Sequence, residues 1–262
     1  MSNDQQPGRS ARHLALPQIG EEGQARITSS TVLLIGIGGI GCAAASYLAS
    51  SGVGHLILCD FDTVDASNLG RQVLYGPADI GKLKTNQAAA RLAAMNPDVR
   101  LTEITDRLSD AALTEAVLQA DVVVDGCDNF ATRFQVSDAC VANSRCLISG
   151  AAIRFEGQIA VFGPEYSISP CYRCLYQEAD ESLDNCAGNG VLAPVPGVIG
   201  TMMAVEALKF LAAVSGTKPG QLSLYDAMSA KWQQVAIKKR TDCPACSQTS
   251  SACEPGGQPD VV

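Results

Sequence analysis

The stretch Thr31-Val-Leu-Leu-Ile-Gly-Ile-Gly-Gly-Ile-Gly41, followed by His55-Leu-Ile-Leu-Cys-Asp60, decides the fold of this chain. The first apolar run is typical of a strand that is buried on both faces. The glycines after it predict a tight turn whose backbone can approach a phosphate, at the start of an Ala-rich helix. The second apolar run predicts another strand. The candidate contacts for a nucleotide are Gly36, Gly38, Gly39 and Gly41 for the phosphates, and Asp60 for the ribose. The stretch therefore predicts a βαβ unit that binds a mononucleotide or a dinucleotide.

Alternating strands and helices continue to about residue 150. Strands are predicted over 99–104, 121–125 and 146–150, and helices over 81–96, 110–119 and 130–143. This order predicts an α/β, Rossmann-like fold: a mostly parallel sheet with helices on both faces. From Ala151 onward the strands lose their crossover helices. Strands over 157–162, 222–225 and 232–237, with a helix over 196–214, predict an antiparallel extension.

Four parts follow from this pattern. Residues 1–29 form an N-terminal arm and helix, and residues 30–150 form the Rossmann-like nucleotide-binding part. Residues 151–246 form the antiparallel part, which contains a long polar loop. Residues 247–262 form a flexible tail.

Composition excludes several classes of protein. A formal net charge of -8 argues against a nucleic-acid partner. The first ten residues are polar, unlike a signal peptide, and charged residues and prolines interrupt the longest apolar stretch, 191–214. We therefore expect a cytoplasmic protein with no membrane partner.

The cysteines predict a metal site. There are 11 of them without a secretory signal, so they favour reduced thiols, metal ligation or catalysis over disulfides. Cys171 and Cys174 form one CxxC pair, and Cys243 and Cys246 form another; together they suit a closed, structural Zn²⁺ site. A redox role for one pair, or two unrelated pairs, are the alternatives.

Six of the seven remaining cysteines divide into two groups. Cys186 is alone in the long polar loop, where it is either a nucleophile or an exposed thiol. The others are predicted to lie on helices or strands and to pack as small hydrophobes: Cys42, Cys59, Cys127, Cys140 and Cys146.

Polar and charged side chains crowd the loops after the predicted strands, where ligand contacts gather in an open α/β sheet. They are Asp62, Ser67, Asn68, Arg71 and Gln72 after the second strand, Lys84 in the next helix, and Asp128 and Asn129 after a later strand; the apolar Leu69 in the first of these loops is a further candidate contact. Arg71 and Lys84 are placed to neutralise more than one phosphate, and Asp128, at the end of its strand, suits Mg²⁺. A nicotinamide enzyme needs neither feature, so the set favours ATP with Mg²⁺ over NAD. Taken one at a time, each residue is more often just a solvated loop charge, and only the joint set favours ATP.

The joint pattern resembles the MoeB/ThiF-type adenylyltransferases, bacterial relatives of ubiquitin-activating enzymes. The matching motifs run almost from end to end. They are Arg9-Ser-Ala-Arg12, the glycine loop, Asp60-Phe-Asp-Thr-Val, Ser67-Asn-Leu-Gly-Arg71-Gln, Lys84, Asp128-Asn-Phe-Ala-Thr-Arg133, Gly150 to Gln158, both CxxC pairs, Cys186 and Pro196-Gly-Val-Ile-Gly200.

This resemblance implies a reaction. The C-terminal Gly-Gly carboxylate of a small ubiquitin-like sulfur carrier protein attacks the α-phosphate of ATP, giving an acyl-adenylate and pyrophosphate, for molybdopterin or thiamin-thiazole synthesis or a related sulfur pathway. By position, Asn68, Arg71 and Lys84 clamp phosphates, and Asp128 places Mg²⁺. Arg12 matches an arginine that enters the neighbouring subunit's site, which implies a homodimer.

The resemblance also implies roles for the cysteines and the antiparallel part. The CxxC cysteines hold structural Zn²⁺, and Cys186 matches a cysteine that relays sulfur in some members. The sulfur donor would be a cysteine desulfurase or a rhodanese, and residues 151–246 would bind the carrier. Two other functions share the glycine loop: an NAD(P)-dependent oxidoreductase, and a non-catalytic nucleotide-gated scaffold.

Overall fold

The computed structural model of the chain describes residues 8–108, 110–177, 190–216 and 219–247. Eight strands form one sheet in the order β3-β2-β1-β4-β5-β6-β7-β8. The first five strands are parallel, and β6, β7 and β8 continue the sheet antiparallel. The predicted fold class, a mostly parallel sheet with an antiparallel extension, is confirmed.

The strands are β1 (Thr31–Ile35), β2 (His55–Cys59), β3 (Arg100–Ile104), β4 (Val122–Asp125), β5 (Cys146–Ile153), β6 (Glu156–Phe162), β7 (Gln221–Asp226) and β8 (Lys231–Ala236). The helices are α1 (Ala11–Leu14), α2 (Gly20–Ser29), α3 (Gly39–Ser50), α4 (Lys84–Met95), α5 (Asp110–Gln119), α6 (Phe130–Ala142), α7 (Tyr172–Leu175) and α8 (Pro194–Leu211).

Strand β1 lies at the centre of the parallel part, between β2 and β4. Alternate residues of β1 enter different cores: Val32 and Leu34 belong to one hydrophobic cluster, and Leu33 and Ile35 to another. Both faces of the sheet are therefore covered, which explains why β1, β2 and β4 read as continuous apolar runs. The order reverses beside β1, and an open α/β sheet binds ligands at such a switch point, outside the carboxyl ends of its strands.

Helix α8 is the one described helix that is long and apolar enough to cross a membrane by length and composition. One face of it packs in the core, where Ile199, Met203 and Ala207 are fully buried, whereas Val205 is exposed. Its contact with α3 is close, because a Cβ atom on Gly200 would lie 2.1 Å from the carbonyl oxygen of Ile40. The apolar composition of α8 therefore follows from packing between α3 and the sheet.

Two local predictions were wrong. Strand β5 does not stop at residue 150; it continues to Ile153 and turns into β6. Strand β4 ends at Asp125, as predicted, and Asp128 lies in the loop that follows it. Cys127 is in that loop and not in a strand; its thiol contacts the Asp125 carboxylate, so it is not packed only among hydrophobes.

Candidate active site

A cavity of about 840 Å³ opens at the carboxyl ends of β1, β2 and β4. Most of the predicted nucleotide contacts line it: Gly36, Gly38, Gly39, Asp60, Asp62, Ser67, Asn68, Arg71, Gln72, Lys84, Asp128 and Asn129. Residues from four separate stretches of sequence are thereby brought to one place. A cavity of this size accommodates a nucleotide or a comparable small molecule.

The glycine loop is compressed between neighbouring backbones. Gly36 has a φ of +82°, and a Cβ atom there would meet the backbone of Gly126 and Cys127 at 3.0 Å. A Cβ atom on Gly39 would lie 2.9 Å from the side chain of Pro196 on α8. Glycine is needed at these positions because only a residue without a side chain fits both the turn and its surroundings.

Gly41, in the first turn of α3, packs against the backbone of the glycine loop. It does not line the cavity, although the sequence predicted a contact with the ligand. A Cβ atom there would lie only 2.0 Å from the carbonyl oxygen of Gly36, so the residue lets the first turn of α3 pack against the loop. The N-terminus of α3, at Gly39, is left facing the cavity. Backbone N–H groups at such a helix end favour a bound phosphate.

Asp60 is buried at the end of β2 and held in a fixed orientation. Its carboxylate accepts hydrogen bonds from the N–H groups of Ile37, at 2.7 Å, and Asp62, at 2.9 Å. Burial raises the pKa of Asp60, and the positive charge of Lys84 opposes that effect. The carboxylate is thus oriented by the glycine loop itself and is available as a hydrogen-bond acceptor.

Lys84 carries a buried ammonium group at the start of α4. Its Nζ lies 2.8 Å from Asp62 and 4.0 Å from Asp60. Asp62 is half exposed, and its side chain can move away when a ligand supplies another anion. Lys84 is therefore a buried cation whose present partner can be exchanged for a phosphate.

The loop after β2 presents Ser67, Asn68 and Arg71. Asp65 fixes its start, because its carboxylate accepts from the N–H of Ser67 at 2.8 Å. Arg71 donates to the carbonyl oxygen of Ser67 at 3.0 Å and is only partly buried. A Cβ atom on Gly70 would meet nothing within 4 Å, so the loop does not require glycine there.

Gln72 and Leu69, in the same loop, differ in their surroundings. Gln72 is 97% buried and lines the cavity, and its Oε1 atom has no hydrogen-bond partner within the described part of the chain. A buried amide oxygen without a partner is costly, and a ligand donor in the cavity would satisfy it. Leu69 does not line the cavity; it packs against the main hydrophobic cluster.

Asp128 and Asn129 form the rim of the cavity opposite that loop. Asp128 is exposed, and the side chain of Asn129 caps α6 by accepting from the N–H of Thr132 at 2.9 Å. The buried Asp125 accepts from the N–H of Cys127 at 3.0 Å and from the hydroxyl of Ser149 at 3.0 Å. The loop that carries Asp128 is thus anchored at both ends, and Asp128 itself is exposed at the cavity.

Two further residues of the cavity, Phe61 and Arg107, contact each other, and the sequence did not predict this contact. Arg107 lies over the ring of Phe61, with its guanidinium carbon 4.6 Å from the ring centre, and both residues line the cavity. Phe61 directly follows Asp60 and could have been noticed for that reason. Arg107 lies in a separate loop after β3, and no local sequence signal connects it to the site.

The two remaining predicted residues are Arg12 and Cys186. Arg12 is exposed on α1 and does not line the cavity of its own chain. Cys186 lies outside the described residues.

The four CxxC cysteines converge at the other end of the sheet. Their Sγ atoms lie within 4.8 Å of one another, and all four residues are buried. The Cys171–Cys243 and Cys174–Cys246 sulfur pairs are each 3.5 Å apart, close to the separation of about 3.7 Å that tetrahedral Zn–S bonds of 2.3 Å require. The donor set and its burial therefore fit a closed structural zinc site.

The surroundings of this cluster act on its thiols in opposite directions: burial raises the pKa of Cys171 and Cys174, whereas the pKa of Cys243 is lowered. Burial raises the pKa of Cys243, but hydrogen bonds from backbone N–H groups outweigh it and lower the pKa to about 7. The ammonium of Lys239 lies 3.1 Å from the sulfur of Cys246, and the N–H of Arg240 donates to the sulfur of Cys174 at 3.4 Å. Such donors compensate part of the negative charge of four metal-bound thiolates.

The similarity to known proteins covers almost the whole chain. Residues 10–245 match the ThiF family. The sulfur carrier protein ThiS adenylyltransferase of Escherichia coli K12 is 42% identical over 249 residues, which cover 95% of this chain and 98% of that protein. The molybdopterin-synthase adenylyltransferase of the same organism is 42% identical over 246 residues, covering 94% and 98% of the two chains.

A relative from another organism and a solved structure add to this likeness. The SAMP-activating enzyme E1 of Haloferax volcanii is 40% identical, over 92% of this chain and 88% of that protein. The crystal structure of E. coli MccB with ATP superposes with a TM-score of 0.81 at 24% identity, covering 93% of this chain and 75% of MccB, and therefore supports the fold alone.

Proposed function

Because the chain belongs to the ThiF family, we propose that it adenylylates the C-terminal Gly-Gly carboxylate of a small ubiquitin-like sulfur carrier protein, using ATP. One observation carries the proposal: the buried acid Asp60, the buried cation Lys84, Arg71 and Asp128 surround one cavity in a chain 42% identical to two such adenylyltransferases. The NAD(P)-dependent alternative has no support among the relatives described above.

In this reaction, a carboxylate oxygen of the carrier forms a bond to the α-phosphorus of ATP. The bond from that phosphorus to the oxygen bridging to the β-phosphate breaks, and pyrophosphate leaves with the electron pair. Asp60 accepts hydrogen bonds from the ribose, and the N–H groups at the start of α3 face the phosphates. Lys84 and Arg71 neutralise charge on the phosphates, which lowers the barrier to attack by an anion.

Magnesium binding is assigned to Asp128. A hard divalent cation takes one or two carboxylates together with substrate phosphates, and the exposed Asp128 on the cavity rim suits that arrangement. When bound, Mg²⁺ would neutralise phosphate charge and orient the leaving group. The protein's part is to hold Asp128 on a loop that Asp125 and α6 anchor.

We further assign a homodimer in which Arg12 enters the neighbouring subunit's cavity. Its exposure on α1, away from the cavity of its own chain, is consistent with that role. The cysteine cluster holds structural zinc, and Cys186 relays sulfur received from a cysteine desulfurase or a rhodanese. The pathway is molybdopterin or thiazole synthesis, in the cytoplasm, and residues 151–246 receive the carrier.

A pyrophosphate-exchange assay tests the proposal. Labelled pyrophosphate is expected to enter ATP only when a Gly-Gly-ending carrier is present. A carrier that lacks its last glycine is the matched control and is expected to give no exchange. If no ThiS-like or MoaD-like carrier supports exchange, the proposed function is wrong.

The role of Cys186 has a separate test. Cys186→Ala is expected to retain exchange and to lose persulfide or acyl-disulfide adducts detected by mass spectrometry. Normal sulfur transfer by this variant would make the cysteine incidental and would leave the adenylylation proposal intact.

A further inference from the structure

The short helix α7 carries one of the clustered cysteines, follows directly after another, and packs against α6. Cys171 is its N-cap residue, and Cys174 lies within it. The ring of Tyr172 contacts Phe134 of α6 edge to face, with ring centres 5.5 Å apart. The ring of Tyr176, just after α7, contacts Phe130 at 5.4 Å in the same manner. The metal-binding segment is therefore in direct contact with one face of α6.

Arg173 adds a polar connection between the same elements. Its Nε and Nη2 atoms donate to the two carboxylate oxygens of Asp138 on α6, each at 2.7 Å. Its guanidinium also lies over the ring of Phe134, 4.5 Å from the ring centre. A bidentate, stacked arginine fixes both distance and orientation, which a single charge contact does not.

The first turn of α6 is at the same time a wall of the nucleotide cavity. Asn129 caps the helix, and Asn129, Thr132 and Arg133 line the cavity with Asp128. The buried Arg133 donates to the carbonyl oxygens of Gly150, at 3.0 Å, and Cys127. A shift of α6 would therefore move the rim that carries Asp128.

We propose that Arg173 is a positioning residue through which the cysteine cluster fixes α6 and, with it, the Asp128–Asn129 rim of the nucleotide cavity. The presence of metal in the cysteine cluster then affects the affinity of the nucleotide cavity for its ligand. The inference rests on the proposed function only in taking the cavity to be the site for ATP and Mg²⁺.

The chain offers a matched control. Arg240 also forms a bidentate pair, with Asp242 at 3.1 and 3.0 Å, and it adjoins the same cluster through its backbone N–H. Neither Arg240 nor Asp242 lies on α6. Arg173→Ala and Arg240→Ala thus each remove one arginine–carboxylate pair beside the cysteines, and only the first removes a contact with α6.

The experiment measures binding of ATP with Mg²⁺ to full-length, zinc-loaded protein by titration calorimetry, with metal content determined for each sample. Arg173→Ala is expected to weaken binding about fivefold, the size of a coupling between contacting groups, while keeping its zinc. Arg240→Ala is expected to bind as wild type does. Arg173→Lys keeps the positive charge but loses the planar guanidinium that binds both carboxylate oxygens. Its affinity for ATP is therefore expected to lie between those of the wild type and Arg173→Ala.

Metal removal supplies a second readout. Chelation of zinc is expected to weaken ATP binding in the wild type, and to weaken it less in Arg173→Ala, whose polar connection to α6 is already lost. Equal losses of affinity in Arg173→Ala and Arg240→Ala, or unchanged binding in Arg173→Ala, would overturn the inference. If Arg173→Ala does not fold, Asp138→Asn carries the same expectation. A wild-type protein that binds no ATP would overturn the proposed function as well.

Discussion

The two ends of this sheet hold ligand groups in different ways. At the parallel end, loops that follow β1, β2 and β4 form an open cavity lined by carboxylates, amides and cations. At the antiparallel end, four buried cysteines, from pairs that lie 72 positions apart, converge in a closed cluster. The parallel topology alone brings strand ends together and creates the cavity. The segment that carries Cys243 and Cys246 follows the last strand, so strand order does not place it. A shared metal ion would attach it to the segment that carries Cys171 and Cys174.

This difference predicts that damage to the cluster lowers stability and that damage to the cavity lowers activity. Cys243→Ser gives the largest expected effect on folding, because it removes one of four buried ligands. We expect loss of bound zinc and a fall in melting temperature of roughly 10 °C, since removal of a structural metal is among the most destabilising single changes. Metal analysis and calorimetry measure both. Retention of zinc with an unchanged melting temperature would show that the cluster is not a structural site.

Asp128→Asn is the matching change at the cavity. Asp128 is exposed, so we expect the melting temperature to stay within about 2 °C of wild type. The rate of pyrophosphate exchange should fall about 100-fold, because the variant removes the carboxylate assigned to Mg²⁺. Stopped assays over a range of Mg²⁺ concentrations test this expectation. An unchanged rate would remove Asp128 from the metal site.

The smallest effect concerns pH. Burial raises the pKa of Asp60 above its ordinary value of 3.8, and Lys84 opposes this. On acidification, Asp60 is therefore protonated earlier than an exposed aspartate would be, and the carboxylate that accepts from a ribose is lost. Adenosine binding should weaken as the pH falls, beginning above the range of an ordinary aspartate. Asp60→Asn is the control and should bind weakly with no such acid limb; an acid limb of the same shape in that variant would assign the effect to another group.

Much of the parallel end could be predicted from the sequence, because its site residues directly follow strands along the chain. Asp60 directly follows a strand, and the glycines directly follow another, so strand order alone places them at one edge. Gly41 shows where that reasoning stops. Its spacing matched a phosphate-binding glycine, but its required contact is with the carbonyl oxygen of Gly36.

Other parts of the site depend on contacts between distant segments. The pairing of Lys84 with Asp62, the stacking of Arg107 on Phe61 and the connection of Arg173 to Asp138 each join separate loops or helices. No periodicity or spacing encodes these contacts. The CxxC pairs are the exception: their chemistry predicts a shared metal even across a long separation, and the convergence of the four sulfur atoms agrees with it.

Labelled ATP tests the central claim most directly. The protein is incubated with a Gly-Gly-ending carrier and with ATP that carries radioactive phosphorus at either the α- or the γ-position, and the carrier is isolated under acidic conditions. The account predicts that only the α-label attaches to the carrier, and that a carrier without its terminal glycine stays unlabelled. Transfer of the γ-label, or no label on any such carrier, would contradict it.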